Sequence, residues 1–486
     1  RIMVLSARRA VASLQACTLL QLSAAFSFPS VLPFTGTLSR GLHCPAGAGC
    51  RLPPSALAAR RLSALKPAGR ARSAATWMAA SAGEAGKMSV EQASRFGQYL
   101  VEPSADHTPI VALAADEFDA WLGKQDEGVK AWVSSMGFAP KAWDSGKQIM
   151  IPGPKGLGMV VLIVGDCDGF GKMFSFSSLP GSLPKHMGPY KLESLGGATP
   201  QDAALGWALG CYSYDRYKNK GKGGEDKGDK FAKLAWPEGA DRDAVSSTAS
   251  ATFLVRDLIT TPSEDLGPAS LQAAAESLAA MHGAECTTIV GDELLEKGYP
   301  QVHAVGRAAA EKHAPRLVEL KWGTPGKPKV ALVGKGVCFD SGGLDIKPAA
   351  AMRNMKKDMG GGAQTLGLAH MVMAAKLDVD LRVLVPSVEN AIAGNSFRPG
   401  DILQARGGLT TEIGNTDAEG RLILADALVA VCEDSPDIVI DCATLTGAGR
   451  VALGTDVPCV FVNDDGVADR LASLSEQHDD LVWRLP

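Results

Sequence analysis

Apolar runs of two lengths alternate along most of this chain, and that alternation predicts its architecture. Pro109–Ala115 and Met159–Gly165 are short continuous apolar runs of strand length. Pro200–Tyr217 carries Ala, Leu, Trp and Tyr at helical spacing, which predicts a helix. Asp241–Ile259 reads as a long helix stopped by the Thr261-Pro262 step, and Pro268 opens a second helix to His282. Val330–Val333, Leu381–Pro386 and Asp437–Asp441 are further buried strands, each followed by a polar, Gly-containing segment. The expected fold class is α/β. A small N-terminal α/β domain over 88–240 is joined by a long helix, 241–262, to a larger domain over 263–486. The larger domain is expected to hold a mostly parallel sheet covered by helices. Ligands of such sheets sit beyond the carboxyl ends of the strands, which directs attention to the segments following them.

Composition adds little for the body and much for the first 83 residues. Hydrophobic content of 46% with 21% charged residues is ordinary for a soluble globular chain. Residues 1–83, however, contain ten Lys or Arg and no acid, so the net charge of −4 leaves a markedly acidic remainder. An acidic body argues against nucleic acid as a main partner. Arg8-Arg9 precede an apolar run from Ala10 to Phe28, then an Arg/Ser/Ala/Pro-rich stretch. This leader reads as a targeting segment for an organelle, plastid or mitochondrion, to be kept out of the fold; a cytoplasmic chain is the alternative. Gln15 and Gln21 interrupt the apolar run, which argues against a membrane anchor. The charged, Gly-rich run Asn219–Lys230 reads as a solvated loop. Ten cysteines without a CxxC point to free thiols, with Cys338 read as packing.

The chemistry concentrates in two stretches. The first, opening at Gly334, holds Lys335, Asp340, Lys347 and Asp358 among the glycines 334, 336, 342 and 343. The second, Asn415-Thr-Asp-Ala-Glu-Gly-Arg421, supplies Asp417, Glu419 and Arg421 at i, i+2 and i+4, which share one side if the segment is extended. Four acids in a partly dry site repel one another unless cations neutralise them. Carboxylate clusters hold Mg, Mn or Zn, and a bridging carboxylate sets up a pair of ions about 3.5–4 Å apart. Such a pair activates water and polarises a carbonyl. A lysine that ligates must be neutral, while one that stays charged can stabilise an oxyanion.

GKG-x3-DSGG-x3-K with a later Asp, together with NTDAEGR, resembles the leucyl (cytosol) aminopeptidase family of two-metal exopeptidases, from about residue 245 onward. The resemblance implies that Lys335, Asp340, Asp358 and Glu419 hold a readily exchanged divalent ion. Asp340, Asp417 and Glu419 hold a tighter one, with Asp340 and Glu419 bridging. It implies Zn or Mn, with Mg or Co as further choices. Lys347 then polarises the scissile carbonyl, and Arg421 anchors a bicarbonate that acts as general base. Met355 lines the first side-chain pocket, and Thr444, Leu445 and Gly447 line the substrate cleft. The partners implied are peptides with a free N-terminus, preferably bearing a large apolar residue such as Leu, and the assembly a homohexamer. Family members continue beyond the point corresponding to Pro486. Gly362 stands where the family pattern has alanine.

Competing readings of the same residues make different demands. A phosphate-cradling loop lacks the GxxxxGK[ST] spacing. FDSGG with Ser341 as nucleophile belongs to all-β, disulfide-rich proteases, whereas this segment lies in an α/β pattern. A two-metal phosphoester hydrolase needs more than Arg421 as a clamp. A non-catalytic DNA-binding or assembly role conflicts with the acidic body. His107, His186 and His370 are read as surface or satisfied histidines, not ligands.

Overall fold

The computed structural model describes residues 93–154, 156–165, 171–218 and 230–486, together with the backbone of residues 2–6. That backbone forms β1, Ile2–Ser6. The rest of the expected leader and most of the charged run Asn219–Lys230 lie outside the described residues. Two sheets organise the remainder. The first has the order β2-β7-β6-β3-β5-β4, comprising β2 (Leu100–Val101), β3 (Thr108–Ala114), β4 (Gln148–Gly153), β5 (Gly156–Val164), β6 (Tyr190–Leu195) and β7 (Leu234–Ala235). All its pairings are parallel except the β4–β5 hairpin.

The second sheet has nine strands: β1, β8 (Glu285–Val290), β9 (Arg316–Gly323), β10 (Lys329–Gly334), β11 (Gly336–Asp340), β12 (Asp380–Asn390), β15 (Ile438–Ala443), β16 (Cys459–Val462) and β17 (Trp483–Arg484). A separate hairpin is made of β13 (Ile402–Gln404) and β14 (Thr410–Glu412). At the centre, β1, β15, β10, β12 and β11 run parallel; β16 on one side and β9 on the other are antiparallel to them, and β8 pairs antiparallel with β9. The mixed α/β architecture with a largely parallel larger sheet is the one the apolar pattern predicts. Within the stretch read as a leader, β1 pairs with β15 and β16. Ile2–Leu5 is itself an apolar run of strand length.

Helices cover both faces of this sheet. We number α1 (Pro200–Gly210), α2 (Arg242–Thr260), α3 (Pro268–His282), α4 (Pro300–Gly306), α5 (Gly360–Ala374) and α6 (Glu419–Cys432). The α2 helix starts where the Asp241 carboxylate accepts the Ala244 N–H, and α3 ends at Gly283 in the left-handed region, φ 66°. The α1 helix is shorter than its periodicity predicts. It stops at Gly210, because Tyr212 and Tyr214 leave the helix to hydrogen-bond Asp257 and Thr261 on and just after α2. Every residue of α5 from Gly360 to Met373 is buried, as befits a helix apolar all round that lies between α2 and the sheet. On the other face, α6 packs with Ala331, Val333 and Val439. The consequence for function is that β10, β11, β12 and β15 end together on one edge, facing the starts of α5 and α6. Among the described residues no helix is long and apolar enough to cross a membrane.

Candidate metal centre

Each charged group of the two motifs is delivered by the end of an element. Lys335 follows the last residue of β10, and Asp340 is the last residue of β11. Asp358 lies in a short 3-10 turn, Met355–Met359, that feeds directly into α5. Asp417 lies in a second such turn, Thr416–Ala418, and Glu419 is the first residue of α6. Gly342 and Gly343, at φ 88° and 64°, reverse the chain after Asp340 and return Lys347 toward it.

The side chains converge. One carboxylate oxygen each from Asp340, Asp358 and Glu419 lies within 4.8 Å of the others, and all three residues are buried. Lys335 Nζ sits 2.7 Å from Asp358 Oδ2 and 2.8 Å from Glu419 Oε1. Lys347 Nζ is 2.8 Å from Asp340 Oδ2 and also pairs with Asp417. Asp417 itself stands at the rim, its side chain 32% exposed, and reaches the cluster through Lys347. Two ammonium groups therefore hold four carboxylates together.

The balance of charge leaves the acids short. Burial is the largest influence on the Lys335 pKa and opposes its charge, but Asp358 and Glu419 outweigh it and raise the value. Lys347 shows the same contest, burial against its bonds to Asp340 and Asp417, with the same upward result. Burial also pushes up the carboxyl groups of Glu419 and Asp417; Lys335 and Lys347 respectively pull them back, and Asp340 adds to the rise in both. Glu419 Oε2, moreover, is buried and finds no hydrogen-bond donor among the described residues. A buried anionic oxygen without a donor, facing two more carboxylates, is what a divalent cation would satisfy. The donor set of carboxylates plus one lysine fits such an ion.

The outer contacts are specific as well. Thr444 donates its hydroxyl to Asp358 Oδ1 at 2.8 Å, so its side chain orients a motif carboxylate. Thr416 knots the two motif loops together. Its Oγ1 accepts the Asp345 N–H and donates to Gly342 O, while its own N–H donates to Asp345 Oδ2. Asn390, at the end of β12, donates to both Asp340 Oδ1 and Thr416 O. Lys335 reaches the acids across Gly420, where a Cβ would fall 2.6 Å from Lys335 Cε. Sequence reasoning missed Asn390, Asp345 and the hydroxyl of Thr416. The available signal was a polar residue closing a buried strand at the carboxyl edge, Asn390 after PSVE.

Several expectations need correction. The second motif is not extended: Asp417 lies in a 3-10 turn, and Glu419 and Arg421 lie in the first turn of α6. On a helix i and i+2 point apart, so Glu419 is buried while Arg421 is exposed. Gly362 matters for packing more than for freedom, since a Cβ there would crowd Val385 Cγ1 at 2.9 Å. Ser341 cannot be poised as a nucleophile, because its hydroxyl donates to Asn390 O at 2.7 Å. Met355 is half-buried, and Leu445 and Gly447 are exposed. His370 is, as expected, a satisfied helix histidine, between Ser250 and His282. The described cysteines are all free.

Comparison with known proteins places this geometry. Residues 253–486 match the catalytic domain of the cytosol aminopeptidase family, and residues 108–237 match an M17 aminopeptidase N-terminal domain. The crystal structure of cytosol aminopeptidase from Coxiella burnetii superposes with a TM-score of 0.72 at 41% identity, covering 80% of this chain and 82% of that one. The chain belongs to the cytosol aminopeptidase family. A second structure, the bottromycin maturation enzyme BotP in complex with Mn, gives a TM-score of 0.64 at 32% identity, over 79% of this chain and 82% of BotP. A probable cytosol aminopeptidase of Corynebacterium glutamicum is 40% identical over 291 residues, 58% of this chain and 57% of the relative. The chain thus spans a little over half the length of that curated cytosol aminopeptidase. Membership accounts for the N-terminal and catalytic domains as parts of one family architecture.

Proposed function

We propose that this chain is a metal-dependent aminopeptidase that removes N-terminal residues from peptides with a free amine. The observation that carries the reading is the buried convergence of Asp340, Asp358 and Glu419 with Lys335 and Lys347, at the carboxyl edge of the sheet, in a chain of this family. Lys335, Asp340, Asp358 and Glu419 would hold one divalent ion and Asp340, Asp417 and Glu419 a second, as Zn or Mn, with Mg or Co as substitutes. When bound, the ions supply an activated water and a Lewis acid for the scissile carbonyl.

The chain's own groups do the rest. Lys335 ligates only after losing the proton that Asp358 and Glu419 now hold on it, so loading releases that proton. Lys347 stays charged at the half-open side of the cluster and donates to the oxygen that becomes negative. Arg421 is exposed in the first turn of α6 and serves as the seat of a bicarbonate base. Met355, half-buried, and Leu445, 40% exposed, offer the apolar wall that favours a large side chain such as Leu. Thr444 and Gly447 complete the cleft. The homohexamer and an organellar address in the leader belong to the same proposal. A size measurement and the location of a leader–fluorescent protein fusion test them separately.

The decisive assay compares a Leu-peptide with a free amine against its N-acetylated form, before and after chelation and Mn²⁺ or Zn²⁺ restoration. Cleavage of the free peptide alone, abolished by chelator and restored by metal, is expected. Equal cleavage of both peptides, or indifference to chelator, would overturn the reading.

A further inference from the structure

We propose that Asn390 is a positioning residue for the metal centre: it fixes the orientation of the Asp340 carboxylate toward the cluster and locks the two motif loops in register. The inference rests on the metal-dependent reading above and goes beyond it, since Asn390 lies in neither motif.

The geometry of Asp340 is the starting point. Its Oδ1 accepts two hydrogen bonds, from Gly342 N and from Asn390 Nδ2, each at 2.9 Å. A carboxylate oxygen has two lone pairs, so Oδ1 is fully used by the protein. Oδ2 is left as the oxygen that meets Lys347 Nζ and the other acids. Without Asn390 only the Gly342 N–H would hold Oδ1, and the carboxylate plane would be free to twist away from the cluster.

Asn390 is wholly buried at the last position of β12, a strand held on both sides by β10 and β9. Its orientation follows from its neighbours. The amide NH₂ faces two acceptors, Asp340 Oδ1 and Thr416 O, the latter at 3.1 Å. Rotating the amide would set its own oxygen against both. Thr416 immediately precedes Asp417 and lies three residues before Glu419, so a single side chain on a rigid strand touches both motif loops. The Asp345–Thr416 bonds knot those loops to each other, and Asn390 ties the knot to the sheet. Support of this kind is what keeps ligands within a fraction of an ångström of productive geometry.

The test uses Asn390→Asp, which keeps shape and replaces the donor by an oxygen aimed at Asp340 Oδ1. Chelator-stripped full chain is titrated with Mn²⁺ by calorimetry, melted without metal, and assayed on a Leu-peptide at saturating Mn²⁺. Loss of an outer-shell partner predicts Mn²⁺ affinity about 10–100-fold weaker than wild type. The turnover number falls while KM for the peptide stays within about twofold, because peptide contacts are untouched. Asp426→Asn, a buried change elsewhere on α6, serves as the structural control: it lowers the melting temperature and leaves Mn²⁺ affinity at the wild-type value. Should N390D not fold, N390S, which shortens the side chain without adding an acid, is read by the same measurements. Wild-type affinity in the Asn390 variant overturns the proposal. So does a loss of affinity that Asp426→Asn reproduces at equal loss of stability. Failure of the wild-type chain itself to take up Mn²⁺ overturns the metal-dependent reading and this proposal together, and is told apart by that fact.

Discussion

Glu419 and Asp426 stand two turns apart on the same face of α6, both wholly buried, and are treated in opposite ways. Asp426 accepts three backbone N–H groups: Gln301 at 2.8 Å and Val302 at 3.3 Å from the start of α4, and Arg406 at 2.9 Å from the loop of the β13–β14 hairpin. Glu419 receives one lysine, and its Oε2 has no donor among the described residues. A structural carboxylate is surrounded by donors the fold supplies. A functional one is left wanting, with its deficit aimed at a shared point. The difference separates two roles that burial alone would merge.

The sharpest way to break this contrast is to neutralise the needy carboxylate. On the proposed function, in which Glu419 bridges two ions, Glu419→Gln is expected to lower activity on a Leu-peptide by more than ~10³-fold. Its unfolding free energy in chelator holds or rises, because one of several mutually repelling buried acids is gone. A large fall in metal-free stability would place Glu419 with Asp426 instead. Lys347→Met comes next, with an expected loss of about 10²–10³-fold in turnover and little change in KM, as for a donor that acts on developing charge. Steady-state kinetics at saturating metal check it.

A third buried polar group sharpens the comparison from the satisfied side. Ser250 Oγ donates to Ser246 O at 2.7 Å, so it accepts from His370 Nε2–H; His370 Nδ1 is then bare and accepts from His282 Nε2–H. Burial, aided by His282, lowers the His370 pKa to about 4. A folded value below the unfolded one means the fold binds fewer protons. Its stability is therefore complete above about pH 6.5 and is lost as pH falls toward 4, by up to about 3 kcal/mol. In His370→Gln, urea unfolding across that window is expected to show a flatter pH dependence than in wild type. An unchanged slope would refute the assignment. The smallest expected effect is that of Asp426→Asn, about 2 kcal/mol of stability from one donor turned against another, with kcat retained at a temperature where the variant is folded.

Legibility in the sequence followed the same division. The strands ending at the carboxyl edge were visible because each is a continuous apolar run, and the clustered acids because four of them crowd two Gly-rich stretches. Less visible was the conformation of the second motif. Asp417, Glu419 and Arg421 suit a strand as well as a helix start when taken three at a time, and only Leu422–Val431 beyond them fixes the helix. Asn390 was invisible for a different reason. Its partners, Asp340 and Thr416, lie 50 and 26 residues away, and beyond its place as a polar residue closing a buried strand nothing local marks an amide that acts across such distances. The end of α1 was missed because Tyr212 and Tyr214 are drawn off by groups on α2.

Gly420 carries a consequence for anyone altering this protein. The smallest possible addition there, a single methyl, would occupy the corridor through which the Lys335 stem travels. An alanine scan would thus register position 420 as essential although it has no functional group to lose. What is indispensable at that point is an emptiness the width of one carbon.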